Sequence, residues 1–573
     1  MGRRAAGRRR VAPALADDGG PSVVSSSAAC ARVLVAQLVA QGVRELVLCP
    51  GSRSAPLALA AVEADALGVL RLHVRTDERS AGFLALGLAK ASGLPVAVVT
   101  TSGTAVGNLL PAVMEASHSG VGVVVVSADR PAALVGFGAN QTTEQIGIFD
   151  GFVRYTARVT SAAHPDTWAA QTAKACVLAA TGPVHLNVEL DVPLVDSPAV
   201  PELADRATTV PEPVEGSLAH LIATAGPLQR HRAGLAEAPA TELLVGPRTV
   251  IIAGDERDAS GAAAAALAAS AGVPLIAEPS SNARTAGALR CGRLVLTTPL
   301  ADQVERVLVF GHPTLSRPVT RLLSRPDVEV IAVASDDADW PDPGHRVRLV
   351  TPALRLDTGD PGWLAAWQDA DAAASERVDG VLADAGLTGW SLARAVWDAC
   401  SGRPLVLGAS QLIRDADLVP ITDRPPTVYA NRGLAGIDGT VSTAVGVALA
   451  LGGPALALMG DLTFLHDSNG LAIGPGEPRP DLRLVVGDDS GGSIFATLEY
   501  GEDRFAGVFE RAFATPSGVD LAVLAASYGV PVTIVETDAD LAVALGRPIK
   551  GVDVVIVKLD RSNRRQLSQA LLG

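Results

Sequence analysis

The chain has 573 residues, more than one hydrophobic core supports, and this length predicts about three domains. A formal net charge of −14 argues against non-specific nucleic-acid binding, and no apolar run reaches the ~18 residues that a membrane span needs. The five cysteines are scattered without a CxxC pair, so neither a zinc site nor a disulfide framework is indicated. These features favour a soluble, cytoplasmic protein.

The first part of the chain divides into a tail and an α/β block. Residues 1–28 are basic but lack the apolar segment of a signal peptide, so we expect a disordered tail there. In residues 29–195 helical patterns separate the apolar runs RELVLC, LRLHVRT, PVAVVTT and VGVVVVS. Continuous apolar strands between helices are typical of a parallel sheet covered on both faces. The proline-rich residues 196–214 are predicted to be a linker.

Two further blocks repeat the alternation. Residues 215–385 contain TVIIAGD, VPLIAEP, RVLVFGH and VEVIAVAS, followed by a polar stretch from Asp336 to about Asp384 that is predicted to be helical. Residues 386–573 contain PLVLGAS, TVYANR, ALALMGD, LRLVVGD, PVTIVE and VDVVIVKLD. The predicted fold is therefore α/β, with three Rossmann-like domains, each a doubly wound parallel sheet.

Two strands of the third block stop abruptly in glycine and aspartate. Asp461 follows ALALMG, while Asp488 and Asp489 follow LRLVVG. Ligands of parallel α/β sheets bind outside the carboxyl ends of the strands. Carboxylates repel phosphate, but Mg²⁺ takes one or two carboxylates together with phosphate oxygens. Thr463 adds a hydroxyl group, and Gly491 and Gly492 let the backbone approach a ligand closely. This stretch predicts a Mg²⁺-diphosphate site.

Other strand ends carry polar side chains whose meaning is open when each is taken alone. PGSRS places Ser52 and Arg53 at a helix N-terminus, which suits an anion but equally a helix cap with a solvated arginine. TDERSAGF places Glu78 at a strand-to-helix junction, where capping is the commoner role. GFGANQ supplies Asn140 and Gln141, and its GxG pair lacks the strand-loop-helix context of a dinucleotide fingerprint.

Arginines cluster at predicted strand ends despite the negative net charge. They are Arg53, Arg130, Arg317, Arg414 and Arg432. Guanidinium forks match carboxylates bidentately, so we infer a site for several carboxylates beside the Mg²⁺-diphosphate. These loops show no Ser/His/Asp triad and no catalytic cysteine or lysine, so a cofactor should carry the chemistry.

The combined motifs resemble the thiamine diphosphate enzymes and, more narrowly, the MenD family, the 2-succinyl-5-enolpyruvyl-6-hydroxy-3-cyclohexene-1-carboxylate synthases of menaquinone biosynthesis. They are PGSRS, TDERSAGFLALGLAK, TSGTAVGNL, ADRP, GANQ, NRGLAGIDG, GDLTFLHD and GGSIF. PGSRS together with NRGxxGIDG is specific to that family. The resemblance covers nearly everything from about residue 29 to the closing LDRSNRRQLSQALL.

The resemblance implies a transferase that uses thiamine diphosphate and Mg²⁺ or Mn²⁺. It would decarboxylate 2-oxoglutarate and add the resulting succinic semialdehyde carbanion equivalent to isochorismate in a 1,4 sense. Glu78 would protonate N1′ of the cofactor's aminopyrimidine, and Ile437 would be the apolar wedge that bends the cofactor. In the family the first domain of one chain faces the third domain of its partner. A homodimer or homotetramer with active sites between subunits is therefore expected.

The remaining site residues are carried over by motif. The resemblance implies catalytic roles for Glu78, Gln141, Arg414 and Arg432, and metal ligands in Asp461, Asp489 and the carbonyl of Gly491. It implies cofactor contacts for Glu78, Ser410, Ile437, Asp461, Leu462, Thr463, Gly491, Gly492 and Ile494. It implies substrate contacts for Ser52, Arg53, Arg130, Asn140, Gln141, Arg317, Ser410, Arg414, Arg432 and Phe495. Many thiamine enzymes have asparagine as the later metal ligand, and the choice between Asp488 and Asp489 stays open.

Two other functions are compatible with parts of the pattern. One is a thiamine diphosphate enzyme acting on a monocarboxylate such as pyruvate, against which the five arginines argue. The other is a non-catalytic Mg²⁺-nucleotide-binding protein built from Rossmann-like blocks. Glu78 discriminates against the second alternative, because nucleotide binding does not need it.

Overall fold

The computed structural model describes residues 27–195, 216–228, 240–243, 246–256, 259–335 and 339–572. The predicted tail up to residue 26 and the predicted linker 196–214 lie outside the described residues, and the first helix begins at Ser27. Three six-stranded parallel sheets flanked by helices confirm the predicted α/β architecture. Within the described ranges, none of the helices has both the length and the apolar character needed to cross a membrane.

The first domain contains two more strands than the sequence predicted. Its strands are β1 (Glu45–Leu48), β2 (Arg71–Val74), β3 (Val96–Thr100), β4 (Val123–Asp129), β5 (Thr156–Thr160) and β6 (Val184–Glu189), in the spatial order β2-β1-β3-β4-β6-β5. Its helices are α1 (Ser27–Ala40), α2 (Ala55–Ala66), α3 (Glu78–Ser92), α4 (Thr104–Gly107), α5 (Leu110–Ser119) and α6 (Pro165–Leu178). The strand order reverses between β1 and β3, which is where ligands bind in such sheets.

The middle domain has a different strand order. Its helices are α7 (Leu218–Thr224), α8 (Ser260–Ala271), α9 (Gly292–Val295), α10 (Arg317–Leu323) and α11 (Pro361–Ala383). A short strand, β7 (Thr241–Leu243), precedes β8 (Thr249–Ala253), β9 (Leu275–Ala277), β10 (Ala288–Leu289), β11 (Arg306–Phe310), β12 (Glu329–Val333), β13 (Val347–Thr351) and β14 (Leu354–Leu356). The main sheet runs β10-β9-β8-β11-β12-β13, and β7 pairs with β14. The prediction of a helix throughout 336–384 was therefore wrong for β13 and β14, and correct for α11.

The third domain contains all six strands that the sequence predicted. They are β15 (Pro404–Leu407), β16 (Thr427–Ala430), β17 (Ala455–Gly460), β18 (Leu482–Asp488), β19 (Val532–Val535) and β20 (Val552–Lys558), in the order β16-β15-β17-β18-β20-β19. Its helices are α12 (Gly389–Cys400), α13 (Gln411–Ala416), α14 (Thr440–Leu451), α15 (Asp461–His466), α16 (Ser493–Ala496), α17 (Ala506–Phe509), α18 (Leu521–Ser527), α19 (Asp538–Gly546) and α20 (Arg564–Leu572). This strand order is the same as that of the first domain.

Helices α3 and α14 join the first domain to the third. A Cβ on Gly87 of α3 would overlap the carbonyl oxygen of Thr443, and one on Gly446 of α14 would overlap that of Leu84. The two helix backbones therefore touch directly. Buried side chains of both domains, including Phe83 and several from α14, form one hydrophobic cluster around this crossing. The crossing fixes how the two domains sit in one chain.

We predict that Gly87→Ala lowers the thermal unfolding midpoint, because the added methyl group forces the helices apart. Overpacking of this kind costs about 1–3 kcal/mol, more than the ~1 kcal/mol that alanine gains over glycine in a helix. Gly380→Ala is the matched control, since nothing lies within 4 Å of a Cβ at this helical glycine of α11. Equal or higher stability of Gly87→Ala relative to Gly380→Ala would contradict the direct backbone contact.

Candidate active site

A cavity of about 150 Å³ lies at the carboxyl edge of the third sheet. It is lined by residues from the loops after β16, β15, β17, β18 and β20, which are consecutive in the sheet. The predicted residues that line it are Ser410, Ile437, Asp461, Leu462, Thr463, Asp489, Gly491, Gly492, Ile494 and Phe495. The structure thus brings together the residues of the third domain that the sequence assigned to the cofactor and the metal.

Two carboxylates in this cavity have pKa values above their usual range. Burial, reinforced by the charge of Asp489, raises the pKa of Asp461 to about 7. Burial also raises the pKa of Asp489 to about 6. A divalent cation between them would stabilise both anions, so the pair fits Mg²⁺ or Mn²⁺. The described ranges hold no group of three or more His, Cys, Asp and Glu side chains placed to bind a metal. A cation here would need backbone and phosphate oxygens to complete its shell.

The geometry favours Asp489 over Asp488 as the second carboxylate. Asp488, the last residue of β18, accepts a hydrogen bond from Lys558 Nζ at 2.5 Å and forms an ion pair with it. Its charge is therefore already compensated. Asp489 lines the cavity and its side chain accepts a hydrogen bond from Ser493.

The conformation of the loop after β18 requires glycine at positions 491 and 492. Gly491 has φ +136°, and a Cβ there would overlap the carbonyl oxygen of Ala514. The amide of Gly492 donates to the same oxygen at 2.7 Å. A Cβ on Gly492 would lie 2.8 Å from the ring of Phe495. Side chains at these two positions would push the loop out of its place beside the cavity.

Two arginines of the third domain, the half-buried Arg414 and the buried Arg432, lie close enough to repel each other. Arg414 donates from Nη1 to the carbonyl oxygen of Ser410 at 2.6 Å, and Ser410 lines the cavity. Burial first, and then the charge of Arg432, lowers the pKa of Arg414 to about 10. Arg432 is 1% exposed, and its Nε and Nη1 have no hydrogen-bond partner in the described part of the chain. Two mutually repelling guanidinium groups, one buried and one half-buried, suit an anionic ligand.

Arg317 forms an ion pair outside the cavity. It is well exposed and forms a bidentate ion pair with Glu499, at 2.7 Å from Nη1 to Oε1 and 3.3 Å from Nη2 to Oε2. This guanidinium holds the pKa of Glu499 at about 2, well below its usual value. The structure does not place Arg317 among the residues that line the cavity.

The predicted residues of the first domain lie in two loops at the carboxyl edge of their own sheet and are called the cluster of the first domain. They are Ser52 and Arg53 after β1, and Arg130, Asn140 and Gln141 after β4. Arg130 Nη1 donates to Ser102 Oγ at 2.6 Å and to the carbonyl oxygen of Gln141 at 2.7 Å, while Gln141 Nε2 donates to the carbonyl oxygen of Ser102 at 2.9 Å. Arg53 Nη1 donates to the carbonyl oxygen of Leu190 at 2.8 Å. The sequence did not single out Ser102, although it lies in the Ser/Gly/Thr loop after β3.

Glu78 does not cap its helix. Asp77 is the N-cap of α3, where its side chain accepts from the amides of Arg79 and Ser80. Glu78 accepts one hydrogen bond, from Asn108 Nδ2 at 3.2 Å. The capping role that the sequence left open for Glu78 therefore belongs to Asp77.

Glu78 and the cavity lie at opposite ends of α15 within one chain. Ser80 Oγ donates to Asp467 Oδ1 at 3.1 Å, and Asn469 Nδ2 donates to Asp77 Oδ2 at 2.8 Å, so the start of α3 is fixed just beyond the end of α15. The cavity lies at the beginning of α15, where Asp461 is the first residue. A six-residue helix spans about 9 Å. Among the described residues, those lining the cavity do not include Glu78.

Comparison with known proteins assigns this fold and site to a class. Residues 29–150 match the family model "Thiamine pyrophosphate enzyme, N-terminal TPP binding domain", and residues 410–559 match "Thiamine pyrophosphate enzyme, C-terminal TPP binding domain". The chain is thus a thiamine diphosphate enzyme, as its two like-ordered sheets and its carboxylate-lined cavity suggest.

Curated relatives define the family more narrowly. A 2-succinyl-5-enolpyruvyl-6-hydroxy-3-cyclohexene-1-carboxylate synthase of a Nocardioides species is 49% identical over 95% of this chain and 97% of its own. The protein of the same name from Kineococcus radiotolerans is 50% identical over 93% of this chain and 96% of its own. The one from Paenarthrobacter aurescens is 46% identical over 95% of this chain and 95% of its own. The chain belongs to this synthase family, which confirms the resemblance found in its motifs.

We predict that Asp489→Ala weakens Mg²⁺-dependent binding of thiamine diphosphate by more than about tenfold, since changes even in the outer shell of a metal site have effects of that size. Asp488→Ala, the matched control, should bind within about twofold of the unsubstituted protein, because its charge is already paired with Lys558. Calorimetric titration with the cofactor at fixed Mg²⁺ measures both. A larger loss in Asp488→Ala would reverse the assignment.

Proposed function

We propose that the chain catalyses the decarboxylation of 2-oxoglutarate and the 1,4-addition of the resulting four-carbon unit to isochorismate. The product would be 2-succinyl-5-enolpyruvyl-6-hydroxy-3-cyclohexene-1-carboxylate, with release of CO₂, in menaquinone biosynthesis in the cytoplasm. The observation that carries the proposal is the pairing of a carboxylate-lined cavity with two neighbouring arginines, the half-buried Arg414 and the buried Arg432. Full-length relatives with the name of this synthase support it.

The cavity residues fit thiamine diphosphate with Mg²⁺ or Mn²⁺. Asp461, Asp489 and the carbonyl of Gly491 would hold the cation, and Leu462 and Thr463 would lie beside the diphosphate. Ile437 lines the same cavity and would support the cofactor from its apolar side. When bound, thiamine diphosphate supplies the electron sink that decarboxylation of a 2-oxo acid requires.

The protein's own groups would then transfer protons and orient substrates. Glu78, which is not occupied in capping its helix, would exchange a proton with N1′ of the aminopyrimidine ring. Arg414 and Arg432 would bind substrate carboxylates, together with Ser410 and Phe495. The cluster of the first domain would contact substrate from the opposite side, through Ser52, Arg53, Arg130, Asn140 and Gln141. Arg317 could join only by exchanging its ion pair with Glu499 for a substrate carboxylate.

A homodimer, or a tetramer of two such dimers, would complete the site. In one chain the beginning of α3 is fixed beyond the end of α15, away from the cavity. A second chain would bring its own Glu78 to the cavity. Closed two-fold assembly would then create two equivalent sites, each with residues from both subunits.

A monocarboxylate substrate is the weaker alternative. A site for pyruvate needs one cationic partner, whereas the described residues place Arg53 and Arg130 at one sheet edge and Arg414 and Arg432 near the other. Two dicarboxylate substrates account for this number of guanidinium groups.

We predict that Glu78→Gln binds thiamine diphosphate normally but releases CO₂ from 2-oxoglutarate about 10²–10⁴-fold more slowly, because it removes one proton-transfer group. Release of CO₂ in single-turnover reactions and cofactor affinity by calorimetry test this directly. Glu63→Gln, on the outer helix α2, is the matched control and should be unaffected. Full CO₂ release by Glu78→Gln would contradict the mechanism.

We predict that Arg414→Ala raises KM for at least one dicarboxylate substrate by about tenfold or more, since hydrogen bonds to charged groups contribute about 1.5–3 kcal/mol. Affinity for thiamine diphosphate should change far less. Arg394→Ala removes an exposed arginine paired with Asp398 on α12 and serves as the control. Equal losses of cofactor and substrate binding in Arg414→Ala would contradict its assignment.

A further inference from the structure

The loop that carries Arg432 is held by residues of all three domains. Lys90 of the first domain donates to the carbonyl oxygen of Ala430, at the end of β16. Asn282 of the middle domain accepts from the amide of Val428 at 2.7 Å. Asn431 Nδ2 donates to Thr443 Oγ1 of α14 at 3.0 Å. A loop restrained from three sides keeps one conformation, which suits a side chain that must meet a ligand in a fixed place.

Glu115 of α5 fixes the backbone just after Arg432. Its carboxylate oxygens accept from the amides of Gly433 and Leu434, at 2.8 and 2.7 Å, and Oε1 also accepts from Ser119 Oγ at 2.8 Å. Glu115 is 3% exposed, so these charge-assisted bonds are shielded from water. A Cβ on Gly433 would lie only 2.7 Å from Ser119 Oγ, so the glycine permits this approach.

Thr314 of the middle domain fixes the guanidinium. Arg432 Nη2 donates to Thr314 Oγ1 at 2.7 Å, which is its one side-chain hydrogen bond in the described part of the chain. The backbone of Thr314 is held in turn by Glu278, which accepts from the amides of Thr314 and Leu315 at 3.2 and 2.9 Å. A hydroxyl orients the arginine without neutralising it, so Nε and Nη1 keep their capacity for an anion.

We propose that Thr314 and Glu115 are positioning residues for Arg432, and that through Thr314 the middle domain sets the direction in which this arginine meets a substrate carboxylate. The inference rests on the proposed function, because it concerns the same substrates. Thr314 is itself exposed, so packing in the core does not account for its contact with a buried guanidinium.

The test compares Thr314→Val, which removes the hydroxyl and keeps the shape, with Thr314→Ser, which keeps the hydroxyl. Thr314→Val should raise KM for 2-oxoglutarate or isochorismate about tenfold, as expected for a lost hydrogen bond to a charged group, with unchanged affinity for thiamine diphosphate. Thr314→Ser should stay within about twofold of the unsubstituted protein. Thr320→Val is the control, because the hydroxyl of this exposed residue of α10 donates to the carbonyl oxygen of Ser316, the N-cap of the same helix.

Glu115→Gln provides the second measurement and should raise the same KM, because its amide group would face a backbone N–H. Normal kinetics in Thr314→Val, or equal impairment of Thr314→Val and Thr314→Ser, would overturn the inference while the activity of the unsubstituted protein still stands. Absence of turnover by the unsubstituted protein would overturn the proposed function, and this inference with it.

Discussion

The burial of two carboxylates, Asp461 and Asp489, in one cavity is the constraint on which the site depends. Both carboxylates are removed from water in one cavity, and the pKa of each lies well above its ordinary value. Without a positive partner, the pair would be partly protonated near neutral pH. Lys558 pairs with Asp488 instead, and the charges of Arg561 and Arg564 only partly offset the burial of Asp489. A cation that also binds diphosphate oxygens would give the cavity both its charge balance and its ligand.

The three domains make different contributions to the structure around that cavity. The first and third have the same strand order and are joined by the glycine-mediated crossing of α3 and α14. The middle sheet has the order of a dinucleotide-binding fold, yet its clearest contributions near the site are side chains that hold the third domain. Asn282 fixes the end of β16 and Thr314 fixes Arg432. From its fold alone, this domain would have been expected to bind a dinucleotide.

The sequence predicted the third domain best because its signals are local. Each of its strands is predominantly apolar, and the predicted cavity residues follow four of them. The strand β6 was missed because His185 and Asn187 interrupt its apolar pattern, although both are buried. Ser127 of β4 bonds to both, with its Oγ 2.7 Å from His185 Nε2 and 2.9 Å from Asn187 Oδ1. Polar residues that find partners across a sheet cannot be recognised from one strand alone.

The sequence predicted those site residues that lie in local motifs, but not the contacts between residues that are far apart in the chain. Asp461 and Gly491 lie in recognisable motifs just after strands, whereas Thr314 lies 118 positions before the arginine that it contacts. Likewise, Arg317 was predicted to contact substrate, but its pairing with Glu499 joins residues 182 positions apart. Contacts of this kind arise from domain packing, which a local pattern does not encode.

The central claim is that Glu78 of one chain and the Asp461 cavity of its partner form one active site. Mixing Glu78→Gln with Asp461→Ala, each expected to be strongly impaired alone, tests it most directly through isochorismate consumption and CO₂ release. After random reassembly of dimers, about a quarter of the original activity should return, because half of the dimers are mixed and each mixed dimer has one intact site of two. Activity no higher than that of the separate variants would contradict the claim.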